Sequence, residues 1–256
     1  MRRRAGFSGW GATLLPALGG MAALLLVWQL AAWLLHLRAL PGPLDVAAAL
    51  PSGLAQGLGA HAAVSVRRVL LGLGLSLGIG LLFGIPMGYC RSFDRYARPV
   101  LYFSYPVPKL ALLPVVMLLF GVGEAAKICV IVLILAFPLM VSVRDAVRAI
   151  PEEDFALFIT LRASFMQTLR HVILPASLPA LFSAVRVSIG IAFSALFFTE
   201  TFGTDKGLGF YITDCWMRLD YPHMYLGIVV LSLAGVALFM AADLCARALV
   251  PWKMDK

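Results

Sequence analysis

Two ionisable side chains stand inside otherwise apolar sequence: Lys109 in a proline-interrupted run and Glu200 at the end of another. A charge held in hydrocarbon costs about 3 kcal/mol or more, so such residues pair, snorkel to the interface, or line a path for a solute. An ammonium suits an anionic solute, and a carboxylate suits a proton or a cation. Lys109 and Glu200 are therefore the candidate translocation-path residues, with simple pairing as the competing explanation. A third stretch with chemical character is 144–179, rich in charge and flanked by long apolar runs. There Pro151 followed by Glu152, Glu153 and Asp154 predicts a helix start, because proline loses nothing in a first turn and acids offset the exposed N–H dipoles. Ser164 with Gln167 three residues later predicts a capping box opening a second helix. That helix should stop near Leu174, since Pro175 disfavours helical geometry in the residue before it.

Other chemistries are excluded or unsupported. No lysine follows a glycine, so no GxxxxGK[ST] phosphate loop exists and the chain cannot hold ATP in that way. His36, His61, His171 and His223 are isolated, and Cys90, Cys129, Cys215 and Cys245 have no metal-ligand spacing. Cys215 alone is expected on the oxidising side. The chain thus carries no cofactor, no metal and no catalytic constellation of its own.

The elements that must position these residues are membrane spans. Of 256 residues, 61% are hydrophobic and 13% charged, with mean hydropathy +0.92, far from the roughly 25% charge of a soluble protein. A helix needs about 20 apolar residues to cross roughly 30 Å of hydrocarbon, and six stretches qualify: 14–37, 69–90, 99–120, 125–143, 180–200 and 225–249. The expected fold is all-α, a polytopic protein with six transmembrane helices. Arg2, Arg3 and Arg4 precede the first span, which is too long for a cleaved signal and lacks a small-x-small site. In the second, Gly72, Ser76, Gly80, Gly84 and Gly88 recur every fourth residue, a small-residue ridge for close helix packing. Pro106, Pro108 and Pro114 should break the third. The segment 91–98 reads as a short link.

The chain divides into 1–64 (tail, first span and a linker), a five-helix core 65–250 containing the loop 144–179, and a tail 251–256. Thirteen Lys and Arg fall with the termini and the even loops against six on the other face, which predicts both termini in the cytoplasm. The +8 net charge belongs to these loops, so no nucleic-acid partner is implied. The pair Arg67–Arg68 runs against the rule.

The order of several weak motifs over 40–252 resembles the membrane subunit of binding-protein-dependent ABC importers, in the branch for taurine, alkanesulfonates and nitrate. They are Pro41, Pro43 and Val46; the run Pro106-Val107-Pro108-Lys109-Leu110-Ala111-Leu112-Leu113-Pro114; Phe120-Gly121-Val122-Gly123-Glu124 with Lys127; Glu200 followed by Gly207-Leu208-Gly209; and Pro251-Trp252. The resemblance implies the type I ABC importer permease fold in a bacterial inner membrane among its lipids. It implies two copies of the chain, two ATPase subunits that hold ATP and Mg, and a periplasmic or lipoprotein solute-binding protein. It also implies an ATPase-coupling loop, here Ala156, Leu161, Arg162, Ala163, Ser164, Val172, Leu174 and Pro175. Ala156, Leu157 and Phe158 stand where the family has Glu-Ala-Ala, and Arg162 replaces its glycine at the turn. Either the loop has diverged together with its ATPase, the reading preferred, or coupling is altered. Two readings of other classes remain: an ion-gradient transporter using Glu200, and a non-transporting scaffold.

Overall fold

A computed structural model describes residues 9–251; Arg2, Arg3, Arg4 and Trp252 of the readings above lie outside them. Every regular element among the described residues is helical. Four helices are long and apolar enough to cross a membrane: α4 (Leu58–Tyr89), α7 (Glu124–Arg148), the continuous segment Phe165–Glu200, and α12 (Tyr221–Leu249). A helix pair bent by 82°, α5 (Arg91–Ser104) followed by Lys109–Phe120, whose last part is α6 (Leu113–Phe120), is long and apolar enough only when taken together, as a broken span or a re-entrant loop. Ahead of them runs α1 (Gly9–Leu35), apolar over Gly19–Leu35. Short helices α2 (Pro43–Ala48) and α3 (Leu50–Ala55) link α1 to α4. The loop helices are α8 (Glu152–Thr160) and α9 (Phe165–Thr168); α10 (Leu174–Glu200) follows α9, and α11 (Leu208–Met217) precedes α12.

The core is built on α4 against α7. Gly72, Gly80, Gly84 and Gly88 all face α7: a Cβ at Gly84 would stand 2.7 Å from the Met140 carbonyl, and one at Gly88 2.5 Å from Val147 Cβ. Ser76 turns its hydroxyl onto the Gly72 carbonyl, 2.7 Å, and so adds no polar cost to the ridge. Beside this seam α10 contributes Ile189, Ala192, Phe193 and Leu196 to a core with Val69, Leu73, Ile131, Leu135 and Leu139. α12 stays peripheral, with only Leu226 and Gly227 buried, and exposes a long apolar face.

Several boundaries differ from expectation, each for a physical reason. The segment 91–98 is helix, not link, because Asp94 in its first turn pairs with Arg98 one turn on. The second span begins at Leu58, placing Arg67 and Arg68 inside a helix, where carboxylates from other helices meet them. The helix from Phe165 does not stop at Leu174. A π turn at Leu169–Ile173 absorbs Pro175, and the Ser177 hydroxyl bonds the Ile173 carbonyl at 2.7 Å, so the chain runs on helically to Glu200. Asp220 caps α12, accepting the His223 N–H, and starts it four residues early. Cys215 is buried, and burial pushes its thiol up to about 11.

Candidate functional site

The two largest charged clusters sit at the two ends of the α4–α7 pair, one of them beside the loop between α7 and α10; separate ion pairs join Arg186 to Asp243 and Arg218 to Asp214. At the loop end, α8 finishes in a turn whose Ala163 N–H bonds the Phe158 carbonyl at 2.9 Å, with Arg162 left-handed at φ 49°. That is the closure in which a glycine normally stands, so an arginine here costs roughly 1 kcal/mol and yet keeps the turn. The next helix opens with both predicted capping bonds, Ser164 N–H to Gln167 Oε1 at 2.7 Å and Gln167 N–H to Ser164 Oγ at 3.4 Å. Val172 and Ile173 are buried with Val147 and Ile150 and anchor the helix pair. Leu174 and Pro175 lie half-buried behind them, Ala156 is exposed, and Leu157, Leu161, Phe165 and Met166 are each at least half exposed. A rigid base thus carries an apolar tip.

Immediately beneath, Asp94 is buried among arginines. Arg98 reaches it with Nε at 2.9 Å, Arg148 at 2.7 Å and Arg144 at 3.8 Å.

At the opposite end Glu200 is fully buried and fully engaged. It accepts from Arg68 Nη1 at 2.7 Å and from the Gly209 N–H at 2.8 Å, and the Ser65 hydroxyl lies 2.8 and 2.9 Å from its two oxygens. Arg68, itself 1% exposed, also bonds Glu124 and the Lys206 carbonyl. Arg67 reaches Glu124 at 2.8 Å. Lys127 donates to the Gly203 and Gly123 carbonyls. Gly207, at φ 120°, lets the backbone run against the carboxylate, where a Cβ would stand 2.4 Å from Glu200. The 203–209 segment is thereby bolted to α4, α7 and α10.

Lys109 and Glu200, paired as path candidates by their sequence context, are not brought together. Lys109 lies at the 82° bend, donating to the Ser104 carbonyl at 2.7 Å, with its ammonium 5.4 Å from the Phe137 ring centroid. It closes the carbonyl end of α5 and remains partly exposed. Nothing favours Glu200 as an ion site driven by a gradient, since its oxygens are already taken by arginine, serine and backbone. Sequence reasoning missed Arg68 and Asp94. The pair Arg67–Arg68 on the wrong side of the charge rule was the one signal of the first, because uncompensated arginines there implied unseen carboxylates.

Comparison with known proteins agrees with this architecture. The family described as binding-protein-dependent transport system inner membrane component matches residues 76–254. The taurine transport system permease protein TauC of Escherichia coli is 31% identical over 92% of this chain and 89% of its own length. The aliphatic sulfonates transport permease protein SsuC of Bacillus subtilis is 29% identical over 91% of this chain and 85% of its own. Among solved structures, the inward-facing MetNI methionine ABC transporter aligns with TM-score 0.62 at 20% identity, over 78% of this chain and 97% of that one. That likeness establishes the fold.

Proposed function

Because the chain belongs to the family of binding-protein-dependent transport system inner membrane components, with the type I permease fold, we propose that it is the pore subunit of an ATP-driven importer for a small anion. The solute class is that of sulfonates, taurine or nitrate, as the named substrates of its relatives suggest. The observation that carries the reading is the helix pair α8–α9. It is a rigidly anchored projection whose exposed Leu157, Leu161, Phe165 and Met166 call for a partner surface.

Two copies of the chain would present two such projections to two ATPase subunits that hold ATP and Mg. Closure of the ATPase pair would then draw the projections together and swing α7 and α10 as rigid bodies, the ordinary form of alternating access. A solute-binding protein would deliver from the other side. The excess of Lys and Arg on the loop side supports placing both termini and this loop in the cytoplasm of a cell with an inner membrane. Arg162, holding the glycine's conformation, supports a diverged but working loop over a defective one. Lys109 is the candidate solute contact, and Lys109→Met should raise the solute concentration for half-maximal uptake.

Native mass spectrometry of the gently extracted assembly, followed by uptake into liposomes, tests the whole reading. Two copies bound to two ATPase subunits, with uptake of taurine, an alkanesulfonate or nitrate only when ATP is supplied, is the expected result. A chain without ATPase subunits that still accumulates solute under an ion gradient would overturn it.

A further inference from the structure

α5 presents three distinct faces. Asp94 and Leu101 are buried against the bundle, whereas Tyr96, Val100 and Phe103 are 78%, 64% and 80% exposed. Along the third face Arg91, Arg95 and Arg98 follow one another at intervals of four and three residues, a single stripe on a helix. Such a helix, apolar on one side and cationic on the next, has the composition of an element lying at a membrane boundary.

The cationic stripe does not simply face water. With Arg148 it lines a cavity of about 820 Å³ between α5, the closing turns of α4 and α7, and the loop helices. The cavity sits at the level where α4 ends at Tyr89 and α7 at Arg148, the boundary level of both crossings. Four guanidinium groups face it against two carboxylates, Asp94 and Glu152. Asp94 is occupied by Arg98 and Arg148. Glu152 lies 3.6 Å from Arg91 with both side chains more than nine-tenths exposed, an arrangement that contributes little. Among the described residues no carboxylate pairs with Arg95. Two guanidinium groups are therefore left to an outside anion.

We propose that this cavity is a binding site for an anionic phospholipid, whose phosphate sits between Arg91 and Arg95 while its acyl chains run along Tyr96, Val100 and Phe103. The apolar face selects a lipid over a soluble anion, because only a lipid covers both faces at once. The excess positive charge selects an anionic headgroup over a zwitterionic one, whose choline would meet the same arginines. Of the apolar tip of α8–α9, Phe165 lines the cavity, whereas Leu157, Leu161 and Met166 lie outside its lining and stay free for a protein partner. The inference holds whatever solute the chain carries.

The test titrates the delipidated full-length chain, in neutral detergent, with phosphatidylglycerol, phosphatidylcholine or glycerol 3-phosphate and reads bound ligand by native mass spectrometry. Phosphatidylglycerol should bind at least about tenfold more tightly than phosphatidylcholine, and the Arg91→Gln/Arg95→Gln variant should lose that preference, given a factor of roughly five per basic residue near an anionic headgroup. Arg95→Gln alone, a change at an exposed position that endangers no packing, should lose about fivefold. Arg38→Gln/Lys206→Gln, at the opposite end, should keep the preference. Equal retention of the two lipids, or an undiminished preference in the Arg95→Gln protein, would overturn the site. Glycerol 3-phosphate binding as tightly as the lipid would overturn the lipid assignment and leave a soluble-anion pocket.

Discussion

The two ends of the α4–α7 pair solve the same electrostatic problem with opposite signs. At one end a buried arginine, Arg68, is held by two carboxylates, Glu124 and Glu200. At the other a buried carboxylate, Asp94, is held by three arginines, Arg98, Arg144 and Arg148. The first cluster is closed at its centre: Arg68 and Glu200 are 1% and 0% exposed, backbone N–H and carbonyl groups complete their bonding, and only Glu124 at the rim keeps 43% of its side-chain surface. The second is open, since Arg148 and Arg98 keep 32% and 46% of their side-chain surface. A closed cluster joins elements that must stay together, here the 203–209 segment and three long helices. An open one keeps spare cations at a boundary that other molecules reach.

The largest expected effect breaks the closed cluster. Arg68→Met should cost about 3–5 kcal/mol, because it leaves Glu200 charged and buried without its ion-pair partner. Thermal unfolding in detergent would show it, and the double variant Arg68→Met/Glu200→Gln should recover at least half of the loss. If the single variant melts like the parent, the cluster is not a lock. Asp94→Asn probes the open cluster and should cost less, about 1.5–3 kcal/mol for lost charged hydrogen bonds, since the stranded arginines turn to water. Equal losses at the two ends would erase the distinction between them.

Between the clusters lies the ridge on which α4 and α7 touch. Gly84→Ala forces a methyl to 2.7 Å from the Met140 carbonyl and should cost about 1–3 kcal/mol. Gly74→Ala, with nothing within 4 Å of the added methyl, should instead gain a few tenths to about 1 kcal/mol from helix propensity. Opposite signs for two Gly→Ala changes ten residues apart, read as shifts in unfolding temperature, would establish that close contact with α7, not glycine as such, decides the effect at Gly84.

How far these features could be read from residues alone depended on the range of the interaction. The apolar stretches, the four-residue ridge and the Ser164–Gln167 box are local patterns, and local geometry dictates them. The Arg68–Glu200 pair joins residues 132 apart, and no spacing encodes that contact. Asp94 was hidden differently. Its neighbours Arg91, Arg95 and Arg98 make the segment look like a solvated link, although the i to i+4 pairing with Arg98 was available to argue for helix. Pro175 misled because a proline rule assumes that the backbone keeps α register. The π turn before it changes that register, and Ser177 takes up a freed carbonyl.

The smallest effect is expected at the loop beside the open cluster. Arg162 holds φ 49° with its side chain exposed, so the guanidinium stabilises nothing that the structure shows, and the left-handed backbone remains a cost. Arg162→Gly should therefore gain up to about 1 kcal/mol in the folded state, offset in part by the greater freedom of glycine in the unfolded chain. The change removes strain but also a positive charge from the side facing any partner. Measured together, stability and affinity for the ATPase separate the two consequences. Higher stability with unchanged affinity would mean that the arginine is tolerated passively. Higher stability with weaker binding would mean that the strain is maintained because the partner uses the charge, and the open end would then be recruiting protein as well as lipid through its arginines.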